Sequence, residues 1–216
     1  MHWQYATICR GEDSLMSRVA ALGVDPADYI QFFGLRTHGI VAEQPETEIV
    51  YVHSKLLVVD DERAIIGSAN INERSMRGSR DSEVCVLIED GPQRQVREHT
   101  VSADIHSLRM RLFQEHFGID LDASDPADEL VWKLVKQRAS KNTALYRQIF
   151  HCYPDDGIAK LADLTIIRKD SGKDNYKLYQ EKKDEIVGFA VEYPLHFLKE
   201  EDLTVGATLY PDALSV

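Results

Sequence analysis

Residues 51–90 read YVHSKLLVVDDERAIIGSANINERSMRGSRDSEVCVLIED, and the pattern predicts that this stretch folds back on itself. His53 and Lys55 are two apart in an apolar, β-branched run. On a strand, positions i and i+2 share a face, so Tyr51, His53, Lys55 and Leu57 are expected to project together. Asp60-Asp61-Glu62 reads as a tight turn and Ala64-Ile65-Ile66 as the returning strand, which Gly67 ends. A hairpin of this kind carries the loop with Ser68 and Asn70 back to about the level of His53. Asp81-Ser82-Glu83 then closes the stretch in front of a further strand, Glu83 to Glu89.

The polar residues of this hairpin form a chemically coherent set. An imidazole, an ammonium, a hydroxyl and a carboxamide suit a tetrahedral phosphate: Lys55 supplies charge, while Ser68 and Asn70 supply neutral donors. Histidine titrates near neutrality and can serve as nucleophile or as general acid and base. Glu83, or as second choice Asp81, is placed to fix the imidazole tautomer, the orienting role of a triad acid. A single histidine on a strand is usually structural, and a single lysine is usually solvated. The joint spacing of five polar residues inside apolar strands favours a site.

His53-x-Lys55-x-x-x-x-Asp60 followed by GSANIN resembles the HKD motif of the phospholipase D superfamily. The continuation ERSMRGSRDSEV resembles the second such motif of eukaryotic phosphatidylcholine-hydrolysing phospholipases D, and the likeness extends upstream through Thr7-Ile8-Cys9-Arg10-Gly11-Glu12 and Gly34-Leu35-Arg36-Thr37-His38. It implies an α/β (α+β) fold: a mixed sheet flanked by helices, one half of a duplicated architecture, with a helical C-terminal region. Residues 1–100 would be the C-terminal HKD catalytic half-domain, and residues 101–216 a helical cap packed on the same domain. The implied reaction is hydrolysis of phosphatidylcholine to phosphatidic acid and choline through a phosphohistidine. Since the nucleophile is usually assigned to the family's first motif, His53 is expected to be the general acid/base. Lys55, Ser68 and Asn70 would hold phosphate oxygens, Glu83 would orient His53, and Asp60 would brace the turn. No metal and no cofactor is implied.

The family's centre needs two HKD motifs, and this sequence contains one. The second histidine must come from an N-terminal half or from a second copy of the chain. Three readings follow: the C-terminal half of a phospholipase D, a one-motif homodimeric phosphodiesterase, and an inactive lipid-binding or regulatory fragment. The first is preferred, with Met1 an internal methionine or misplaced start.

The chain has 25 Lys+Arg against 36 Asp+Glu, a net charge of −11, which argues against nucleic acid as a partner because that binding is driven by cations. No apolar run approaches the ~20 residues of a membrane span. The expected location is cytoplasmic, peripherally associated with a phospholipid surface. Cys9, Cys85 and Cys152 are widely spaced and are expected to be reduced, buried thiols.

Along the chain, residues 1–11 read as strand-like. A helix capped by Asp13 or Ser14 should carry Leu15, Val19 and Leu22 and stop at Gly23. Asp25-Pro26 signals a second cap. Residues 29–33 read as a buried strand, which the resemblance would place in the same sheet as the HKD strand, and Arg36-Thr37-His38 as a polar loop start, which the resemblance would place at the mouth of the site; 39–47 read as a loop and 48–59 as the central strand region. Asn72 should cap a short helix. Arg74, Arg77 and Arg80 could meet a phosphate or an anionic lipid headgroup, but three arginines in a loop and short helix are more often solvated or paired with local acids. Residues 91–101 read as a linker, and Ser102 as the cap of a helix ending at Gly118. Asp125-Pro126 should open a helical region reaching Phe150, with Trp132 in the core. His99, His106, His116 and His151 read as surface or core. Residues 169–185 read as an exposed loop, 186–193 as a last strand, and 205–216 as a packed tail.

Overall fold

The computed structural model describes residues 1–119, 125, 128–164 and 175–204. The chain is α+β; its described residues form three small antiparallel sheets, with helices between and around them. Strands β1 (Phe33–Val41) and β2 (Gln44–Val50) form a hairpin, and β8 (Ala190–Glu192) pairs with the other edge of β1. Strands β3 (Lys55–Val59), β4 (Arg63–Gly67) and β5 (Cys85–Ile88) form the second sheet, and β6 (Gln93–Val96) and β7 (His99–Ser102) the third.

The helices include α1 (His2–Tyr5), α2 (Leu15–Ala20), α3 (Glu73–Met76), α4 (Ala103–Phe117), α5 (Glu129–Phe150) and α6 (Tyr176–Lys182). Their ends follow local chemistry. The Ser14 hydroxyl accepts from the Ser17 amide, and the Asn72 side chain from Ser75. Gly118 closes α4 in the left-handed conformation at φ 60°.

The main core lies where α4 and α5 cover the first sheet. Phe117, Ile119, Val131, Val135, Ala139 and Ala190 are buried there, with Phe33 and Leu35 packed against them. Each large side chain removed from water contributes ~1.5–3 kcal/mol, so stability concentrates at this junction. Asn142 of α5 is fully buried and ties the C-terminal strand in: its side-chain amide donates to the carbonyls of Val187 and Ala190, both at 2.9 Å, and its oxygen accepts from the Val187 amide. A second cluster joins Tyr5 to Ile158, Phe197 and Leu198, and a third joins Leu145 and Ile149 to Tyr179. None of the three draws a side chain from β3–β5.

Several sequence expectations are corrected. Residues 2–10 are helical rather than a strand: α1 continues into a π-helical turn over Ala6–Arg10, held by the Tyr5 hydroxyl on the Pro194 carbonyl and by Arg10 on the carbonyls of Leu195 and Phe197. The first strand begins at Phe33, since Pro26–Asp28 forms a 3-10 turn and Tyr29 is exposed. It does not share a sheet with the HKD strand. Residues 39–47 are strand and turn, because Ala42 and Glu43 adopt positive φ in a two-residue hairpin connection without glycine. Residues 91–101 contain the β6–β7 hairpin, with Arg97 at φ 51°. The long helix starts at Glu129, and Asp128 caps it by accepting from Leu130.

Trp132 is 42% exposed, lining a groove of about 440 Å³ with Leu56, Val58 and Phe113 rather than filling the core. Residues 176–182 are helix α6, anchored by Tyr179. The three cysteines are free, but Cys85 is exposed. The expectations for 120–124, 126–127, 165–174 and 205–216 fall outside the described residues.

Candidate active site

The β3–β4 hairpin is built as its sequence demands. Val59 pairs with Arg63, and the Glu62 amide closes the turn on the Val59 carbonyl at 2.9 Å. Asp60 and Asp61 occupy the two left-handed positions, φ 53° and 55°, where aspartate is tolerated better than most residues. Asp60 is exposed at the first of them. Asp61 is the carboxylate that braces the turn: it is fully buried and accepts from Arg109 Nε at 2.6 Å, Arg109 Nη2 at 2.7 Å and His106 Nδ1 at 2.7 Å. The Asp61 carbonyl also receives the Ser102 amide at 2.9 Å. The far end of the hairpin is thereby clamped to the first turns of α4. The sequence reading missed this clamp. Its only signal was the i, i+3 spacing of His106 and Arg109, which places both on one helix face.

At the opposite end, Lys55 opens β3 and His53 precedes it. The pair still meets: Lys55 Nζ lies 3.3 Å from His53 Nδ1 and donates to the His53 carbonyl at 2.6 Å. An ammonium can only donate, so Nδ1 is the accepting nitrogen and the ring proton belongs on Nε2. The Tyr51 ring stacks beside His53.

Gly67 lies opposite both Lys55 and Cys85 in the sheet, and a Cβ there would sit 2.7 Å from Cys85 Cβ and from the Val84 carbonyl. Only glycine permits that approach, which brings Ser68 against the next strand. The Ser68 hydroxyl donates to Glu83 Oε2 at 2.5 Å and accepts from the Val84 amide at 3.0 Å. Glu83 therefore bonds Ser68, and also Ser75, rather than the imidazole. These hydrogen bonds, followed by the charges of Lys55 and Arg74, hold its carboxyl below the usual range.

The Asn70 side chain is exposed, and its backbone amide donates to the Ser75 hydroxyl at 3.1 Å. Ser75 was not singled out from the sequence, yet it joins the Asn70 loop to Glu83. Asp81 pairs with Arg74 at 2.9 Å, while Arg77 and Arg80 share Glu73. Arg36 and His38 lie inside β1, not at a loop start. Arg36 is buried on Thr47 and the Tyr153 carbonyl, and His38 sits among Tyr146, Phe150 and Tyr179.

The family model for phospholipase D matches residues 35–154. The chain belongs to the phospholipase D family. It is 42% identical over 165 residues to a phospholipase D of Phytophthora infestans, covering 72% of this chain and 9% of that protein. It is 38% identical over 215 residues to human phospholipase D1 and 37% identical over 214 residues to bovine phospholipase D2, covering 94% of this chain in both cases. It spans only 20% and 23% of those two relatives' lengths.

Proposed function

We propose that this chain supplies one histidine of a two-histidine centre that hydrolyses phosphatidylcholine to phosphatidic acid and choline at a phospholipid surface. The observation that carries this reading is the meeting of Lys55 Nζ with His53 Nδ1 at 3.3 Å at the open end of the hairpin. The other histidine, from an N-terminal HKD half, attacks phosphorus, so that an N–P bond forms as the P–O bond to choline breaks. His53 gives its Nε2 proton to the departing choline oxygen while Nδ1 takes one from the Lys55 ammonium, so the ring stays neutral and no imidazolate forms. In the second step Nε2 takes a proton from the water or alcohol that attacks phosphorus and releases the first histidine, and Nδ1 returns its proton to Lys55. Lys55, Ser68 and Asn70 hold the non-bridging oxygens, where charge develops. Glu83 orients the site through the Ser68 hydroxyl that it holds, Asp81 holds Arg74 beside it, and Asp60 occupies the first left-handed position of the turn that Asp61 braces. Residues 1–100 act as the catalytic half and 101–216 as the cap.

The second sheet supports the need for a partner. Leu57, Ile65 and Leu87 are in register on one face of β3–β5, at 54%, 37% and 51% exposure, and Val59 on that face is 42% exposed. Apolar surface of this kind marks an interaction site.

The test is transphosphatidylation with phosphatidylcholine vesicles and a primary alcohol. The chain is assayed alone and with the N-terminal HKD half of a relative, with His53→Ala alongside. Phosphatidyl-alcohol from the mixture, absent with His53→Ala, is the expected result. Product from the chain alone, with a dimer in solution, would assign the second histidine to another copy. Turnover that survives His53→Ala, or no turnover in any mixture, would sink the reading.

A further inference from the structure

Tyr51 has no part in the chemistry above, although it stands two residues before His53. It is 80% exposed, and its ring centroid lies 6.1 Å from that of His53 with the planes 30° apart. Single exposed aromatics are ordinary on protein surfaces. Tyr51 differs because its ring lies alongside the group that meets the leaving oxygen.

The inference rests on the phospholipase reading, in which His53 protonates the departing choline. An oxygen bonded to His53 lies ~3 Å from the imidazole nitrogen. The choline ammonium lies two carbons beyond that oxygen, on the same side of phosphorus. The Tyr51–His53 separation of 6.1 Å fits that reach. A quaternary ammonium has no N–H and cannot be held by a hydrogen bond. It is held by carboxylates or by the negative face of an aromatic ring within ~6 Å of its centroid.

We propose that Tyr51 is the headgroup-recognition residue of this site, its ring taking the trimethylammonium of choline while His53 serves the choline oxygen. The contact uses the ring face and not the hydroxyl, so phenylalanine should replace tyrosine and alanine should not. A headgroup without a quaternary ammonium gains nothing from it. At an exposed position, the preference for choline over an uncharged analogue of the same shape should be about two- to fivefold.

The test does not depend on turnover. The chain is titrated with choline chloride and with neohexyl alcohol, the uncharged carbon isostere of choline, at constant ionic strength. Binding is followed by the His53 imidazole resonance, identified by its absence in His53→Ala. Wild type and Tyr51→Phe should bind choline about two- to fivefold more tightly than neohexyl alcohol, and Tyr51→Ala should bind the two alike. A preference that persists in Tyr51→Ala, or none in wild type, overturns the assignment. An intact choline preference beside turnover that ignores His53→Ala would instead count against the phospholipase reading and leave the ammonium site standing.

Discussion

Two adjacent aspartates at one turn have opposite roles. Asp61 carries its charge into the interior, where Arg109 and His106 meet it, while Asp60 points to solvent. Removing one partner of a buried ion pair leaves the others uncompensated, a loss of ~3–5 kcal/mol. Asp61→Ala should therefore lower the urea midpoint or melting temperature strongly. Asp60→Asn, which tolerates the left-handed backbone and removes only an exposed charge, should change stability by less than ~0.5 kcal/mol. Equal effects of the two substitutions would refute the division of roles. The sequence made Asp60 the conspicuous residue because the motif spacing ends on it. Spacing identifies chemistry along one strand and carries no information on which carboxylate a distant helix will cover. The return of the Ser68 loop to the Lys55 end of β3 was legible for the converse reason, since the hairpin register alone sets Gly67 opposite Lys55. The bonds from Glu83 to Ser68 and Ser75 lay beyond register, because they depend on loop conformations past the strand ends.

Helix α6 shows what docking adds to local propensity. Residues 176–182 are rich in charge and read as a loop, yet Tyr179 is buried against Leu145 and Ile149, and its hydroxyl lies 3.2 Å from His38 Nδ1. Burial, reinforced by the charge of Lys183 and opposed by Asp184, pushes the His38 imidazole below its ordinary value of 6.5. The sign follows directly. Below pH 6.5 the unfolded chain takes up the proton before the folded one does, so stability is complete above that pH and declines as the pH falls through and beneath it. Hydrogen exchange of the α6 amides should accelerate between about pH 7.5 and about pH 5.5, after correction for intrinsic rates. His38→Phe keeps the aromatic packing and should abolish that acceleration; an unchanged pH response would exclude His38 as its source. The helices with strong caps, at Ser14 and Asn72, and the one ended by Gly118 were readable because their boundary chemistry is local. The hairpins at Ala42-Glu43 and Arg97 were not, since their left-handed turn residues are neither Gly nor Asn.

At the scale of the whole molecule, burial is uneven. The first sheet lies under α4 and α5, while the sheet that carries the motif keeps Leu57, Ile65 and Leu87 in water on one face. That imbalance was invisible in the sequence, where β3–β5 and β1 look equally fit for a core. It separates folding from assembly and makes the proposed partnership testable without catalysis. The double substitution Leu57→Lys with Leu87→Lys places charges on an already exposed surface, so the isolated chain should keep its melting temperature to within the effect of ~1 kcal/mol. At an interface the same two lysines would be desolvated without counter-charges, and association with the N-terminal half or with a second copy should weaken by at least ~100-fold. Sedimentation of the mixtures, wild type against variant, reads this directly. An unchanged association constant would mean that the partner docks elsewhere. A collapsed melting temperature would mean that this face already supports the fold of the chain by itself.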